Sequence, residues 1–193
     1  MRNSLLLSAA RHFAAHGLDG ANINEISVGA GLARGTVYNY FDSKLDLFLA
    51  VIEDACLRVA RRYKDREANA HSAVDLRSKL LQLLQADLEV LREEEDFARV
   101  FVREALSFKP ETFAVIQKSL SPVLEPLIGI LKSGQKSGEI RTDLSVEMLA
   151  QIFLGTASLF YVQHWGSEGA WPELESIPAL VCEYYLQGVG LKA

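Results

Sequence analysis

The chain has 193 residues, 49% of them hydrophobic and 23% charged, with 20 Lys+Arg against 25 Asp+Glu for a net charge of -5. This composition excludes disordered and collagen-like chains and a wholly basic nucleic-acid coat protein, while leaving room for a local basic face. Its two cysteines, Cys56 and Cys182, form no CxxC and no Cys/His cluster, so no disulfide scaffold, metal site or cofactor is expected.

At the N-terminus, Leu5-Leu6-Leu7 after Arg2 is too short for a secretory h-region, because Ser8, Arg11 and His12 interrupt it. Leu6, Ala9, Ala10, Phe13 and Ala14 instead form a stripe at helical spacing, and Gly17 is placed to end it. Asn22 followed by Glu25 is a capping-box variant that opens a short helix with Ile23 and Ile26 inward. Gly31 offers the positive φ of a tight turn, and a second short helix then carries Val37 and Phe41 on its inner side. Ser43 caps a much longer helix through about Arg66, with Leu45, Phe48, Ile52, Cys56, Val59 and Tyr63 along its buried face.

Beyond a polar joint at 67–72, a leucine-rich helix covers about Ala73–Arg92. Another runs through Phe97, Phe101, Ala105 and Phe108 to Pro110. Between them, the acidic run Glu93-Glu94-Glu95-Asp96 reads as a solvated turn. Pro122 and Pro126 predict a kink or a pair of helices with Ser121 capping the second, and Gly138 is a C-terminal stop. Ser145 caps a helix whose stretch Met148–Ser167 carries no formal charge. Gln151, Thr156, Gln163 and His164 within it argue against a membrane span, so it is expected to be covered by its own domain and by a partner subunit. The last helix starts at Pro172 or Ser176 and passes Leu180 and Tyr184 to Gly188. Nothing alternates at period 2, so the fold class is all-α.

Chemistry concentrates between Asn22 and Phe41, which have the form of a helix-turn-helix. Ile26 and Val37 can meet across the angle, Gly31 permits the turn, and Leu32 fills the corner. The outer face of the second helix presents Arg34, Thr36, Tyr38, Asn39 and Tyr40, groups suited to phosphate oxygens and to base edges in a major groove. Lys44, in the first turn of the next helix, is a cation where the helix dipole disfavours one, a cost that a nearby phosphate would offset. No GxSxG elbow, HExxH or P-loop is present, so an enzyme is not expected. Gly29, Gly31 and Gly35 lack the dinucleotide spacing, and His12 and His16, four apart, lack a third metal ligand.

The run Ala30-Gly31-Leu32-Ala33-Arg34-Gly35-Thr36-Val37-Tyr38-Asn39-Tyr40-Phe41-Asp42-Ser43-Lys44 resembles the signature of the tetracycline-repressor (TetR) family, and residues Leu6 to Ile26 match its first helices. The resemblance implies a three-helix helix-turn-helix DNA-binding domain at 1–47 and a larger helical ligand-binding and dimerisation domain at 48–193. Carried over residue by residue, Arg34 and Gly35 contact DNA at the start of the recognition helix beside Thr36. Tyr38 and Tyr40 lie on phosphates, Asn39 reaches a base, and Lys44 binds a phosphate. Two positions depart from the family pattern. Ala33 replaces the usual serine cap, and Asn39-Tyr40 replaces the commoner Tyr-His pair. The few residues before the first helix provide no basic arm for the minor groove.

The resemblance further implies a cytoplasmic, nucleoid-associated homodimer, paired through its last two helices and with no membrane partner. It would bind a double-stranded operator and respond to a small-molecule effector, most simply as a repressor. The aromatic residues of the C-terminal half serve either as core or as the lining of an apolar pocket. Phe101, Phe113, Gln117, Phe153, Thr156 and Phe160 are the candidates for ligand binding. The alternative is a helical ligand-binding dimer that has lost its grip on DNA.

Overall fold

The computed structural model describes residues 1–69, 75–93, 95–105 and 110–190, and it is all-α. In chain order the elements are α1 (Arg2–Gly20), α2 (Ile23–Gly29), a 3₁₀ turn at Thr36–Asn39, α3 (Lys44–Ala68), α4 (Leu76–Glu93) and α5 (Glu95–Ala105). There follow α6 (Pro110–Ser119), α7 (Ser121–Ser137), α8 (Val146–Gly166), a 3₁₀ turn at Leu174–Ser176, and α9 (Ile177–Val189). Ala73, Glu94 and Phe108, each assigned a place above, lie outside the described residues.

Local chemistry accounts for most of the boundaries. Gly17, at φ +70° and ψ 179°, breaks α1 and leaves a short helical remnant after it. Asn22 caps α2 by accepting from the Asn24 N–H at 2.9 Å. Ser43 accepts from the Asp46 N–H at 3.0 Å while the Asp46 carboxylate takes the Asp42 N–H at 3.2 Å, a reciprocal cap on α3. Asp75, which the sequence pattern did not single out, caps α4. Its carboxylate accepts the Ser78 N–H at 2.7 Å, and the Ser78 hydroxyl and backbone hold its pKa below the ordinary carboxylate value. Gly138, at φ +77°, closes α7 with Glu139 N–H bonding the Gly134 carbonyl and Gly138 N–H that of Gln135. Ser145 caps α8 through the Met148 N–H. The proline pair yields two helices, α6 and α7, with Pro122 in the first turn of the second and Pro126 inside it.

The chain forms two compact units, residues 1–58 with 90–121, and 59–89 with 122–193. In the first, Leu5, Leu6, Ala9, Phe13, Ile26, Val37, Phe41, Phe48 and Ile52 are buried. Phe13 meets Phe48 edge-on at 5.2 Å, and the Ser8 hydroxyl donates to the Ile26 carbonyl at 2.8 Å, tying α1 to α2. The buried face of α3 differs from expectation in its first two turns. Leu45, in the exposed first turn, lies outside it, and Leu47 and Val51 lie within it. α5 packs along α1. Its Phe97 and Val100 are buried, and the Arg103 Nη1 donates to the carbonyls of Ala14 (2.9 Å) and Ala15 (3.1 Å).

In the second unit, Leu80, Leu83, Leu127, Leu131, Leu149, Phe153, Ile177, Val181 and Cys182 form the core. Phe153 meets Tyr185 edge-on at 5.0 Å, and the Tyr185 hydroxyl donates to the Leu149 carbonyl at 3.1 Å. Glu89 takes both Arg62 and Arg66, and the Tyr161 hydroxyl donates to Asp87 at 2.5 Å.

Candidate nucleic-acid interface

The segment between Gly31 and Ser43 is tightly punctuated. Gly31 (φ +75°) and Gly35 (φ +77°) both adopt left-handed backbone, with open space where a Cβ would stand, so the need for glycine there is conformational and not steric. Between the second glycine and α3 the backbone makes one 3₁₀ turn in place of the α-helical recognition helix read from the sequence. Thr36 N–H bonds the Ala33 carbonyl, Tyr38 N–H that of Gly35, and Tyr40 N–H that of Val37, each three residues back. The physical reason lies at its start. Gly35 is the N-terminal cap, with no side-chain cap bond, and Ala33 has no side-chain oxygen to supply one.

The turn has two faces. Val37 and Phe41 are buried and anchor it to the core, as their spacing implied. Tyr38 is 59% exposed and Tyr40 39% exposed. Arg34 and Asn39 are also exposed, and Thr36 and Gly35 are half-buried. Five of the seven expected contact residues thus share one short stretch whose polar groups are clear of the core, with Gly35 setting its conformation. The Tyr40 hydroxyl donates weakly to the Met1 sulfur at 3.6 Å, and the Arg2 guanidinium sits 5.4 Å from the centre of the Phe41 ring. Arg2 therefore stands beside the turn. No local pattern signals this, because the two positions meet only through the tertiary packing of α1.

Lys44 is used in a way that its spacing did not announce. Its half-buried ammonium donates to the carbonyls of Asp19 (2.8 Å) and Ala21 (3.1 Å), the frayed end of α1. An ammonium has three donors, so one is left after these two. The same residue thus secures the scaffold with two of its three donors.

The six candidate ligand residues fall three to each compact unit. Phe101 and Gln117 are half-buried and Phe113 exposed in the first. In the second, Phe153 is fully buried against Tyr185, and the Thr156 hydroxyl is donated back to the Ile152 carbonyl at 2.8 Å. Phe160 belongs to a partly exposed aromatic cluster, stacked 6.1 Å from Tyr184 and tilted 6.3 Å from Trp171.

A family profile described as bacterial regulatory proteins, tetR family, matches residues 5–51, and a second, the C-terminal region of YsiA-like proteins, matches residues 58–177. The chain belongs to the TetR family. The HTH-type transcriptional repressor BepR of Brucella suis biovar 1 is 30% identical over 168 residues, covering 82% of this chain and 78% of that protein. The fatty acid metabolism regulator protein of Bacillus subtilis is 26% identical over 149 residues, covering 77% of this chain and 75% of its own length. The structure of the Bacillus subtilis regulator FadR in complex with stearoyl-CoA superposes with a TM-score of 0.84 at 23% identity, covering 97% of this chain and 99% of that one. This TetR-family chain thus carries the fold of transcriptional regulators, and the family is one of regulators and not of enzymes.

Proposed function

We propose that this protein is a ligand-responsive repressor that binds a pseudo-palindromic operator as a homodimer, with a DNA-binding part at 1–47 and a regulatory part at 48–193. The carrying observation is the exposure of Arg34, Tyr38, Asn39 and Tyr40 on a turn whose opposite side, Val37 and Phe41, is locked into the core. A solvated loop has no need of that backing, whereas a groove-reading element needs it to hold register. In this reading Arg34 and Gly35 lead into the groove beside Thr36. Tyr38 and Tyr40 lie on phosphates, Asn39 reads a base edge, and Lys44 offers its remaining proton to the backbone. A twofold dimer sets two such turns in successive major grooves, roughly 34–36 Å apart. The protein acts in the cytoplasm, at the nucleoid.

The effector in this proposal is a small, largely apolar or aromatic molecule, and a long-chain acyl thioester is the class to test first, because the Bacillus subtilis FadR structure that shares this fold is a complex with stearoyl-CoA. The candidates Phe101, Phe113, Gln117, Phe153, Thr156 and Phe160 contribute to its recognition. Such a ligand releases DNA only by binding one separation of the two heads more tightly than the other.

Fluorescence anisotropy with duplex DNA from the region flanking the gene tests the proposal. Wild-type protein is expected to bind specifically and to release on addition of palmitoyl-CoA but not of free coenzyme A. Arg34→Ala is expected to weaken binding about tenfold and to lower the slope of log K against log salt by about one phosphate contact. No specific binding at any salt concentration would sink the reading.

A further inference from the structure

The break at Gly17 leaves the preceding turn of α1 with a helix end part-way along the element. Carbonyls in a final helical turn lack amide partners and carry the negative end of the helix dipole, so they call for donors, preferably cationic ones. Two side chains meet that need. Arg103, from α5, donates through Nη1 to the Ala14 and Ala15 carbonyls, before the break. Lys44, from the start of α3, donates to the Asp19 and Ala21 carbonyls, after it. Gly17 itself is the floor of the Arg103 seat. A Cβ built there would lie 3.3 Å from the Arg103 Nε, and the backbone, at φ +70° with extended ψ, suits only glycine.

α1 is in turn the backing of the recognition turn. Ser8 is bonded to the α2 backbone, Phe13 is packed on Phe48 of α3, and Met1 and Arg2 lie against Tyr40 and Phe41. Whatever fixes the end of α1 therefore fixes the angle at which the turn is presented. We propose that Arg103 is a positioning residue for DNA binding: the two hydrogen bonds it donates to the Ala14 and Ala15 carbonyls lock α1 to α5, so that operator affinity depends on where α5 stands. This rests on the DNA-binding reading and adds to it a residue 63 positions beyond Tyr40 that touches no DNA.

The test uses the full chain with Arg103→Met, which keeps the aliphatic stem and removes the donors, and Arg103→Lys, which keeps the charge and can serve the carbonyls in part. Arg99→Met, one turn earlier on α5, is the control. Anisotropy with the flanking duplex is expected to show Arg103→Met binding about five- to tenfold more weakly, the order of losing charge-assisted hydrogen bonds at an exposed site. Arg103→Lys should fall between, and the control should match wild type. The salt slope of Arg103→Met should equal that of wild type, because no phosphate contact is removed. Amide exchange over residues 12–21 should be faster in Arg103→Met, with the rest of the chain unchanged.

Equal affinity of Arg103→Met and wild type overturns the proposal, and so does a salt slope lowered by about one, which would mark a direct phosphate contact. Should Arg103→Met fail to fold, Arg103→Lys decides by the same two readouts. Absence of specific binding by the wild type overturns the DNA-binding reading and this proposal together, whereas tight binding by both proteins overturns this proposal alone.

Discussion

Asp87 is a carboxyl on α4 buried against α8, and burial pushes its pKa above the ordinary value despite the hydrogen bond that Tyr161 donates. A group whose folded pKa is raised favours the folded state when protonated. Its contribution is complete below the unfolded value of about 3.9 and is lost as pH rises through the folded value. Asp87→Asn keeps an acceptor for the Tyr161 hydroxyl and removes the ionisation. The variant is therefore expected to match wild type in melting temperature near pH 4 and to exceed it by about 2–4 °C at pH 8. Calorimetry of the two proteins across that range checks the sign, and a variant less stable than wild type at pH 8 would refute it. Tyr161 stays protonated throughout, since burial and the neighbouring carboxyl raise its own pKa well above the usual phenol value.

At the scale of elements, the recognition turn shows how much one missing oxygen can matter. With alanine at 33 and Gly35 as its cap, the segment settles as a single 3₁₀ turn. Ala33→Ser places a hydroxyl where it can accept from the N–H groups that open the turn, and a cap of this kind stabilises by about 0.5–2 kcal/mol. Slower amide exchange over residues 34–40 and an operator affinity equal to or tighter than wild type are the expected outcome. Unchanged exchange would mean that the cap is not what limits the turn. The same contrast separates what could be read in the sequence from what could not. Asn22, Ser43, Ser145, Gly17, Gly31 and Gly138 act within a few residues of themselves, so their roles as caps and stops were legible. The exposed face of Arg34, Tyr38, Asn39 and Tyr40 was legible for the same reason, as the complement of Val37 and Phe41. Arg103 acts across a long separation on backbone carbonyls, which carry no residue identity, so no pattern marks it; Lys44 stood out by its place in the chain, but its bonds to the Asp19 and Ala21 carbonyls did not. Phe153 and Phe160 look alike in sequence, yet one is core and the other lies in a surface aromatic cluster, because only packing distinguishes them.

For the whole molecule, the decisive surface belongs to α8 and α9. Among the described residues α8 is the one helix long and apolar enough to cross a membrane, yet its polar side chains and its buried face against α9 fit a water-soluble fold. Only 33% of its most apolar window is buried within the chain. Leu159 is 62% exposed, Tyr184 on α9 is 56% exposed, and Met148, Ile152 and Trp171 are exposed with them. In the proposed homodimer this exposed apolar surface is the interface, met by the same two helices of a second copy. Light scattering should therefore give about twice the 21.4 kDa of one chain. Leu159→Glu buries a charge in that face and should yield monomers at micromolar concentration, because an unpaired buried carboxylate costs several kcal/mol. Operator affinity should fall with it by about 100-fold or more, since a monomer presents one recognition turn where the dimer presents two on a linked scaffold. The measurement to make is scattering and anisotropy on the same sample. A Leu159→Glu protein that stays dimeric places the interface elsewhere, and one that turns monomeric while holding wild-type affinity removes the twofold operator from the account.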